Sequence, residues 1–318
     1  MFNYIVQRPD GKWELRDGIA MGLVRLIDGT GSMGGNVDLG FKAQPRLEPL
    51  LPIVLPRYQV QKSMGVYQDV SDRCPLQIAQ LEPDIEHDRQ MALLAPEHGG
   101  GAPWVDPEVA MWYLAFRLSG HIWDYGLKPY AFIIGDEKGR DELELWLMEK
   151  VFGSKGPELL NLHEVRDAKG IAAAALKKWH MFFLQVTGEP YTTRWFSDVL
   201  GRERTVIVPT IGWISEIMAT IIGLSEGVLD LQNAVDFLME HKTNNTISRA
   251  DARQIVRAVG HIPLRAQADL PGFNKIPLPG SVFTSKDDVW PTELSEGKPS
   301  EVVGSVPGSN GEEIAWQL

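Results

Sequence analysis

Three oxygen-bearing side chains follow a mostly apolar run near the start of the chain. Residues 23–27 form this run, which ends at Asp28, and Thr30 and Ser32 follow at two-residue steps inside a glycine-rich turn. The apolar run predicts a buried strand, so that one carboxylate and two hydroxyls would converge at its carboxyl end. Such a set suits a hard cation such as magnesium, which prefers oxygen ligands in an octahedron and usually retains some of its water.

Two later segments offer further oxygen ligands. The apolar run 130–134 leads into Asp136, and the glycine-rich stretch 99–108 leads through Asp106 into an amphipathic helical pattern. Loops that follow different parallel strands meet at one edge of a sheet, which favours a shared site. The predicted ligands are Asp28, Thr30, Ser32, Asp106 and Asp136. Simpler interpretations stay open, with Asp28 and Asp136 as turn or loop carboxylates and Asp106 as a helix N-cap.

These motifs resemble those of a known family. Residues 28–33 read Asp-Gly-Thr-Gly-Ser-Met, which resembles the first motif of many bacterial von Willebrand factor A (vWA) domains that carry a metal-ion-dependent adhesion site (MIDAS). Residues 99–108 are similar to the family's glycine-rich loop before Asp-x-Pro-Glu, with extra residues inserted. Residues 65–69 resemble its second strand, with Gln68 in place of the usual arginine. The resemblance extends in order over about residues 20–225, and Asp106 stands where the family usually has a threonine ligand.

The resemblance implies a function in protein interaction rather than catalysis. A MIDAS holds magnesium, or manganese or calcium in its place, and the ion completes its coordination with an acidic side chain of a partner protein. Bacterial members of this kind often work as adaptors in multi-protein systems or beside MoxR-like AAA+ ATPases. The expected partner is therefore a protein of that class.

Two enzymatic alternatives begin from the same residues. Residues 29–34 match the G-x-G-x-x-G dinucleotide fingerprint, and Glu48 lies near the spacing of a ribose-binding acid. The carboxylate of Asp28 would repel the pyrophosphate of such a cofactor. Asp28 also fits the nucleophile of a haloacid-dehalogenase-like phosphohydrolase, with Asp136 on magnesium. In that family a second aspartate acts as general acid at the position where this chain has Thr30.

Composition narrows the class of protein. The chain has 318 residues, of which 44% are hydrophobic and 23% charged, as is ordinary for a globular protein. Its net charge of −11 argues against a general nucleic-acid or anionic-membrane surface. Cys74 is the single cysteine, which excludes an intramolecular disulfide. The first residues lack a signal-peptide pattern, and residues 217–224 are too short to span a membrane. We therefore expect a cytoplasmic protein.

Strand-like and helix-like segments alternate along the chain. This order predicts an open, doubly wound α/β fold of the vWA or Rossmann type, with a mostly parallel sheet and helices on both faces. The predicted strands cover residues 22–27, 60–67, 75–81, 130–134, 180–186 and 205–208. The predicted helices cover residues 36–48, 84–95, 106–120, 140–152, 171–178, 195–200, 214–224, 229–240 and 248–259.

The predicted domain plan has four parts. A small leading strand or hairpin occupies residues 1–19, and the vWA-like domain occupies residues 20–225. A helical extension follows over residues 226–262. Residues 263–318 form a tail rich in Pro, Gly and acidic residues, which lacks any hydrophobic period from about residue 271. That composition predicts a disordered segment or one that wraps along a partner.

Overall fold

The computed structural model describes residues 5–100, 105–153, 165–187, 189–241 and 247–290. Within these ranges the chain forms two sheets joined by helices. The strands are β1 (Ile5–Gln7), β2 (Trp13–Leu15), β3 (Ile19–Asp28), β4 (Tyr58–Tyr67), β5 (Leu76–Ile78), β6 (Tyr130–Gly135), β7 (His180–Gln185), β8 (Thr205–Ile207) and β9 (Ser281–Phe283).

The larger sheet has six strands in the order β5-β4-β3-β6-β7-β8. Every neighbouring pair in it is parallel except β4 and β5, which are antiparallel. The chain reaches the centre first, at β3, and then builds outward on both sides. This topology confirms the predicted open, mostly parallel sheet. In the register, Ile27 of β3 lies opposite Ile134 of β6 and Asp28 lies opposite Tyr67 of β4, so the ends of three strands share one edge.

Helices cover both faces of this sheet. They are α1 (Asn36–Ala43), α2 (Leu51–Val54), α3 (Ile85–Met91), α4 (Pro107–Phe116), α5 (Leu145–Phe152), α6 (Ala168–Lys178), α7 (Pro190–Leu200), α8 (Ile214–Glu226), α9 (Ala234–Glu240) and α10 (Arg249–Val259). Strand β3 supplies both cores because its side chains alternate between the faces. Leu23 and Ile27 join the core beneath α1 and α8, whereas Val24 and Leu26 join the core beneath α4 and α6.

Most predicted elements are present, with shifted ends. Strand β3 is longer than the predicted run because it begins at Ile19. The helix expected over residues 36–48 ends at Ala43 and continues as a 3₁₀ turn, Gln44–Leu47. Pro45 explains this change, since it lacks the N–H that an α-helical bond would need. The short helix α2 had no predicted counterpart.

The first part of the tail is folded, which corrects the prediction of disorder for residues 271–290. Strand β9 pairs with β2 of the predicted hairpin, and Trp13 lies opposite Phe283. Phe273, Ile276 and Val289 are buried against the core. The segment lacks a hydrophobic period because it consists of short turns and one short strand, so it escaped detection. Residues 291–318, for which the same prediction was made, lie outside the described residues.

The helical extension packs on the main sheet unit. Helices α9 and α10 contact each other, and α10 also contacts α8. The expected start at Ser248 is confirmed, because its hydroxyl accepts from the Asp251 N–H while the Asp251 carboxylate accepts from the Ser248 N–H. The boundaries of the four-part domain plan stay a prediction.

No helix among the described residues is both long enough and apolar enough to cross a lipid bilayer.

Two Val→Thr substitutions, one at a buried position and one at an exposed position, test whether the first part of the tail is packed against the core. Val289 is 2% exposed, and its carbonyl accepts a hydrogen bond from the Tyr125 hydroxyl, whereas Val282 on β9 is 43% exposed. Val289→Thr places a hydroxyl in an apolar environment and should lower the free energy of unfolding by about 1–3 kcal/mol. Val282→Thr should change it by less than about 0.5 kcal/mol. Urea unfolding measures both, and equal effects would contradict the packing of this segment.

Candidate metal centre

The first three predicted ligands lie together in the loop after β3. Asp28 is the last residue of the strand, and Ser32 lies in a 3₁₀ turn, Gly31–Met33. The Asp28 Oδ1 atom accepts from the Thr30 N–H at 2.8 Å and from the Thr30 hydroxyl at 2.6 Å. The Thr30 and Ser32 hydroxyl oxygens lie 3.0 Å apart. The two-residue spacing thus aligns all three side chains along one side of the loop.

The fourth predicted ligand joins this group from a neighbouring strand. Asp136 follows the end of β6, and its Oδ1 atom accepts from the Ser32 hydroxyl at 2.9 Å. Parallel pairing of β3 with β6 brings the two loops to one edge of the sheet. Four side chains therefore form a continuous series of oxygen contacts, Asp28–Thr30–Ser32–Asp136, which we call the oxygen chain.

The two hydroxyl groups of the oxygen chain carry too few hydrogens to form a hydrogen bond at every oxygen–oxygen contact. Each hydroxyl carries one hydrogen, Thr30 donating its own to Asp28 and Ser32 to Asp136. No hydrogen then remains for the 3.0 Å contact between the two hydroxyl oxygens. With both carboxylates ionised, the lone pairs of Thr30 and Ser32 face each other. Either an added proton or a cation near the two hydroxyls removes this deficit.

Burial adds to the cost of the negative charge on the two carboxylates. Asp28 is fully buried, and this burial raises the pKa of its carboxyl to about 7. Two hydrogen bonds from Thr30 lower that pKa, whereas the charges of Asp136 and Glu137 raise it. Burial likewise raises the pKa of Asp136, which is only 5% exposed. The Asp28 Oδ2 atom is buried without a hydrogen-bond partner among the described residues.

These features fit a cation held by two carboxylates and two hydroxyls. In the described part of the chain, no three His, Cys, Asp or Glu side chains are grouped so that they could hold a metal ion. The oxygen chain has only two such side chains and depends on hydroxyls for the rest. That donor set favours a hard ion such as magnesium over a soft one.

Asp106 is held by other groups. It immediately precedes α4, where its side chain makes no capping hydrogen bond. Its Oδ1 atom accepts from Arg140 Nε at 2.5 Å, and its Oδ2 atom accepts from the Val70 N–H at 2.6 Å. Asp106 therefore links the loops after β4 and β6, outside the hydrogen bonds of the oxygen chain. Its assignment as a metal ligand stays a prediction.

The glycine-rich stretch does approach the first loop, as its similarity to the family loop implies. The Gly31 N–H donates to the Gly99 carbonyl at 2.8 Å, and the His98 N–H donates to the Gly29 carbonyl at 3.1 Å. A side chain at Gly31 would meet the His98 carbonyl oxygen at 3.1 Å. The glycine at position 31 thus permits close contact between two loops. Residues 101–104 of this stretch lie outside the described residues.

Two neighbours of the oxygen chain were not among the predicted ligands. Tyr67 is fully buried, and its hydroxyl donates to the Ile134 carbonyl at 3.1 Å, close to Asp28. Tyr191, at the start of α7, donates its hydroxyl to Glu137 Oε2 at 2.8 Å. The aromatic end of the second predicted strand offered a signal for Tyr67. Nothing in the spacing of residues identified Tyr191.

Comparison with a surface carboxylate measures how much the contacts of Asp106 contribute to stability. Asp106→Asn weakens the ion pair with the partly exposed Arg140 and should lower the free energy of unfolding by about 1.5–3 kcal/mol in chelator. Asp38→Asn, on an exposed part of α1, should change it by less than about 0.5 kcal/mol. Urea denaturation compares the two variants, and similar small losses would show that the Arg140 contact contributes little.

The pH dependence of stability tests the electrostatics of Asp28 in chelator. Because its pKa rises from 3.8 to about 7 on folding, the native state binds the extra proton and is stabilised at low pH. This contribution is complete below about pH 4 and disappears as pH increases to about 7. Wild type should therefore lose on the order of 3 kcal/mol over that window relative to Asp28→Asn. Parallel pH profiles of the two proteins would contradict the raised pKa.

Comparisons with known proteins found distant structural similarity but no match in sequence. No protein-family model and no curated protein matches the sequence. Among solved structures, proximal thread matrix protein 1 from the mussel byssus is 8% identical, with a TM-score of 0.39 over 66% of this chain and 48% of that one. Another structure of it, described as having a zinc-occupied MIDAS motif, is 12% identical, with a TM-score of 0.41 over 66% of this chain and 46% of that one.

The pilus adhesin SpaC from Lactobacillus rhamnosus GG is 11% identical, with a TM-score of 0.43 over 67% of this chain and 32% of that one. This chain thus spans less than half the length of each of these proteins. Their TM-scores are too low to establish a shared fold, so the fold assignment rests on the strand order and pairing described above.

Proposed function

We propose that this chain is a metal-dependent protein-interaction domain of the vWA type, in which a MIDAS-like centre holds magnesium. One observation carries the proposal. The oxygen chain commits both hydroxyl hydrogens to carboxylates and leaves the lone pairs of Thr30 and Ser32 facing each other. A cation stabilises that arrangement when both carboxylates are ionised, as a proton on Asp28 does at lower pH.

The proposed ligands are Asp28, Thr30, Ser32 and Asp136, with Asp106 as a further candidate. Hydroxyl ligands add no charge, so the two carboxylates do no more than neutralise a divalent ion. The remaining coordination positions of the ion are then open to another anionic oxygen. Ser32 and the adjacent Gly34 and Gly35 are exposed, which gives a partner access to this edge of the sheet. An Asp or Glu side chain of another protein is the simplest donor. The bound ion would then supply the attraction in the contact.

The dinucleotide-binding alternative has less support. A pyrophosphate cradle needs free N–H groups in the glycine loop. Here Gly29 N–H donates to Tyr67, Thr30 N–H to Asp28, and Gly31 N–H to Gly99. Glu48, the candidate ribose acid, instead pairs with Lys62 at 2.6 Å.

The phosphohydrolase alternative also has less support. Its nucleophile must reach a substrate, whereas Asp28 is fully buried. The position of the general acid is taken by Thr30, whose hydroxyl is hydrogen-bonded to Asp28. No observation at the site favours either enzyme.

The partner proposed from the family resemblance is a MoxR-like AAA+ ATPase or another member of a multi-protein system, in the cytoplasm. The net charge of −11 supports a partner with basic surroundings around its acidic side chain, since long-range attraction favours opposite charges.

Calorimetric titration with magnesium tests the metal centre. Wild type should bind the ion with a saturable signal, and Asp28→Ala should abolish detectable binding because it removes the carboxylate that anchors Thr30. Asp38→Ala removes an equal charge from α1 and should bind as wild type does. A normal titration of Asp28→Ala would contradict the proposal, as would the absence of binding to wild type.

Affinity capture tests the partner. Tagged wild type should retain a protein in magnesium and release it in chelator, and Asp28→Ala should retain none of it in either condition. Capture that is insensitive to chelator would show that the interaction does not use the metal.

A further inference from the structure

A cavity of about 390 Å³ lies at the opposite edge of the sheet from the candidate metal centre. It adjoins the amino-terminal ends of β4 and β6, where Tyr58 and Tyr130 lie. Its volume is in the range that holds small molecules. The lining residues on which the inference depends are Arg57, Glu226, Gly227, Arg265, Ala268 and Phe273.

Two guanidinium groups line the cavity. Arg57 lies over the ring of Phe273, with its Cζ atom 4.6 Å from the ring centroid. Arg265 lies beside the end of α8, where a Cβ at Gly227 would be 2.7 Å from Arg265 Nη1. Its Nε atom is paired with the exposed Asp269 at 3.1 Å, a contact that leaves the Nη groups available to other acceptors. An arginine fork of this kind suits carboxylate and phosphate groups.

The one carboxyl among the lining residues is poorly placed to neutralise these arginines. Glu226 is 4% exposed and accepts hydrogen bonds from the Tyr130 hydroxyl at 2.8 Å and the Tyr58 hydroxyl at 3.2 Å. Burial raises the pKa of Glu226 to about 8, so this carboxyl is largely uncharged at neutral pH. Among the lining residues the two guanidinium groups therefore outweigh the single carboxyl, and Asp269, outside the lining, offsets part of the charge of Arg265.

The arginine side chains are not required to complete the end of α8. The Leu224 carbonyl accepts from the Arg265 backbone N–H at 2.8 Å, and the Ser225 carbonyl accepts from the Gln267 N–H at 3.0 Å. Backbone groups thus already satisfy these helix carbonyls. These carbonyls therefore do not need the guanidinium of Arg265, whose Nε atom pairs with Asp269.

We propose that this cavity binds a small molecule through an oxyanion, with the carboxylate or phosphate group between Arg57 and Arg265. The apolar part of such a molecule would contact Phe273 and Ala268. This site is independent of the proposed metal-dependent function, since the two lie at opposite edges of the sheet.

Calorimetry on the full-length chain in chelator tests the cavity without interference from a bound metal. The probes are inorganic phosphate and acetate at constant ionic strength, with chloride as the reference anion. Wild type should give saturable binding of at least one probe. Arg57→Gln should weaken that binding about tenfold or more, whereas Arg8→Gln, on the amino-terminal hairpin, should leave it unchanged.

A second variant covers the case in which Arg57→Gln fails to fold. Val228 lines the cavity and is 39% exposed, so Val228→Glu adds a negative charge with little loss of packing. It should weaken anion binding by a similar factor. Saturation by phosphate alone identifies a phosphate ligand, and saturation by acetate alone a carboxylate. The absence of saturation by either anion, or equal binding by Val228→Glu and wild type, would overturn the proposal.

Discussion

Two buried carboxylates joined by only two hydroxyl groups determine the electrostatics of this site. Asp28 and Asp136 meet because β3 and β6 are parallel neighbours, with Ile27 opposite Ile134 one and two residues before them. Thr30 and Ser32 complete the connection with one hydrogen each. The sheet thereby concentrates negative charge where water is scarce, and a cation or a proton must compensate for it. We propose that a divalent ion does so when it is available.

The surrounding loops hold the oxygen chain in place without taking part in it. Asp106 receives hydrogen bonds from Arg140 and from the Val70 N–H, which fixes the loop after β4 against the loop after β6. The glycine-rich stretch binds the first loop through backbone hydrogen bonds at Gly29 and Gly31. The Gly31 N–H is therefore not free to bind the pyrophosphate of a dinucleotide. Ser32 is the exposed member of the oxygen chain.

The central sheet and the oxygen chain followed from the sequence because both depend on simple periodicity. Apolar runs indicated the strands. Asp28 and Asp136 lie at or just after the ends of two of them, and the parallel pairing of those strands brings the two side chains to one edge of the sheet. The partner of Asp106 was not predictable, because Arg140 comes from a loop that has no motif. The folding of residues 271–290 was missed because short turns bury Phe273 and Val289 without a regular period. The cavity beside Glu226 depends on long-range packing of residues far apart in the chain.

Anomalous diffraction from crystals grown with manganese at pH 8 would locate a cation at the oxygen chain. Manganese accepts the same oxygen ligands as magnesium and gives a measurable anomalous signal. We expect a single strong peak within coordination distance of the Thr30 and Ser32 hydroxyls, beside Asp28 and Asp136. An oxygen chain that carried no peak at saturating manganese, with its hydroxyls still hydrogen-bonded as described here, would contradict this expectation.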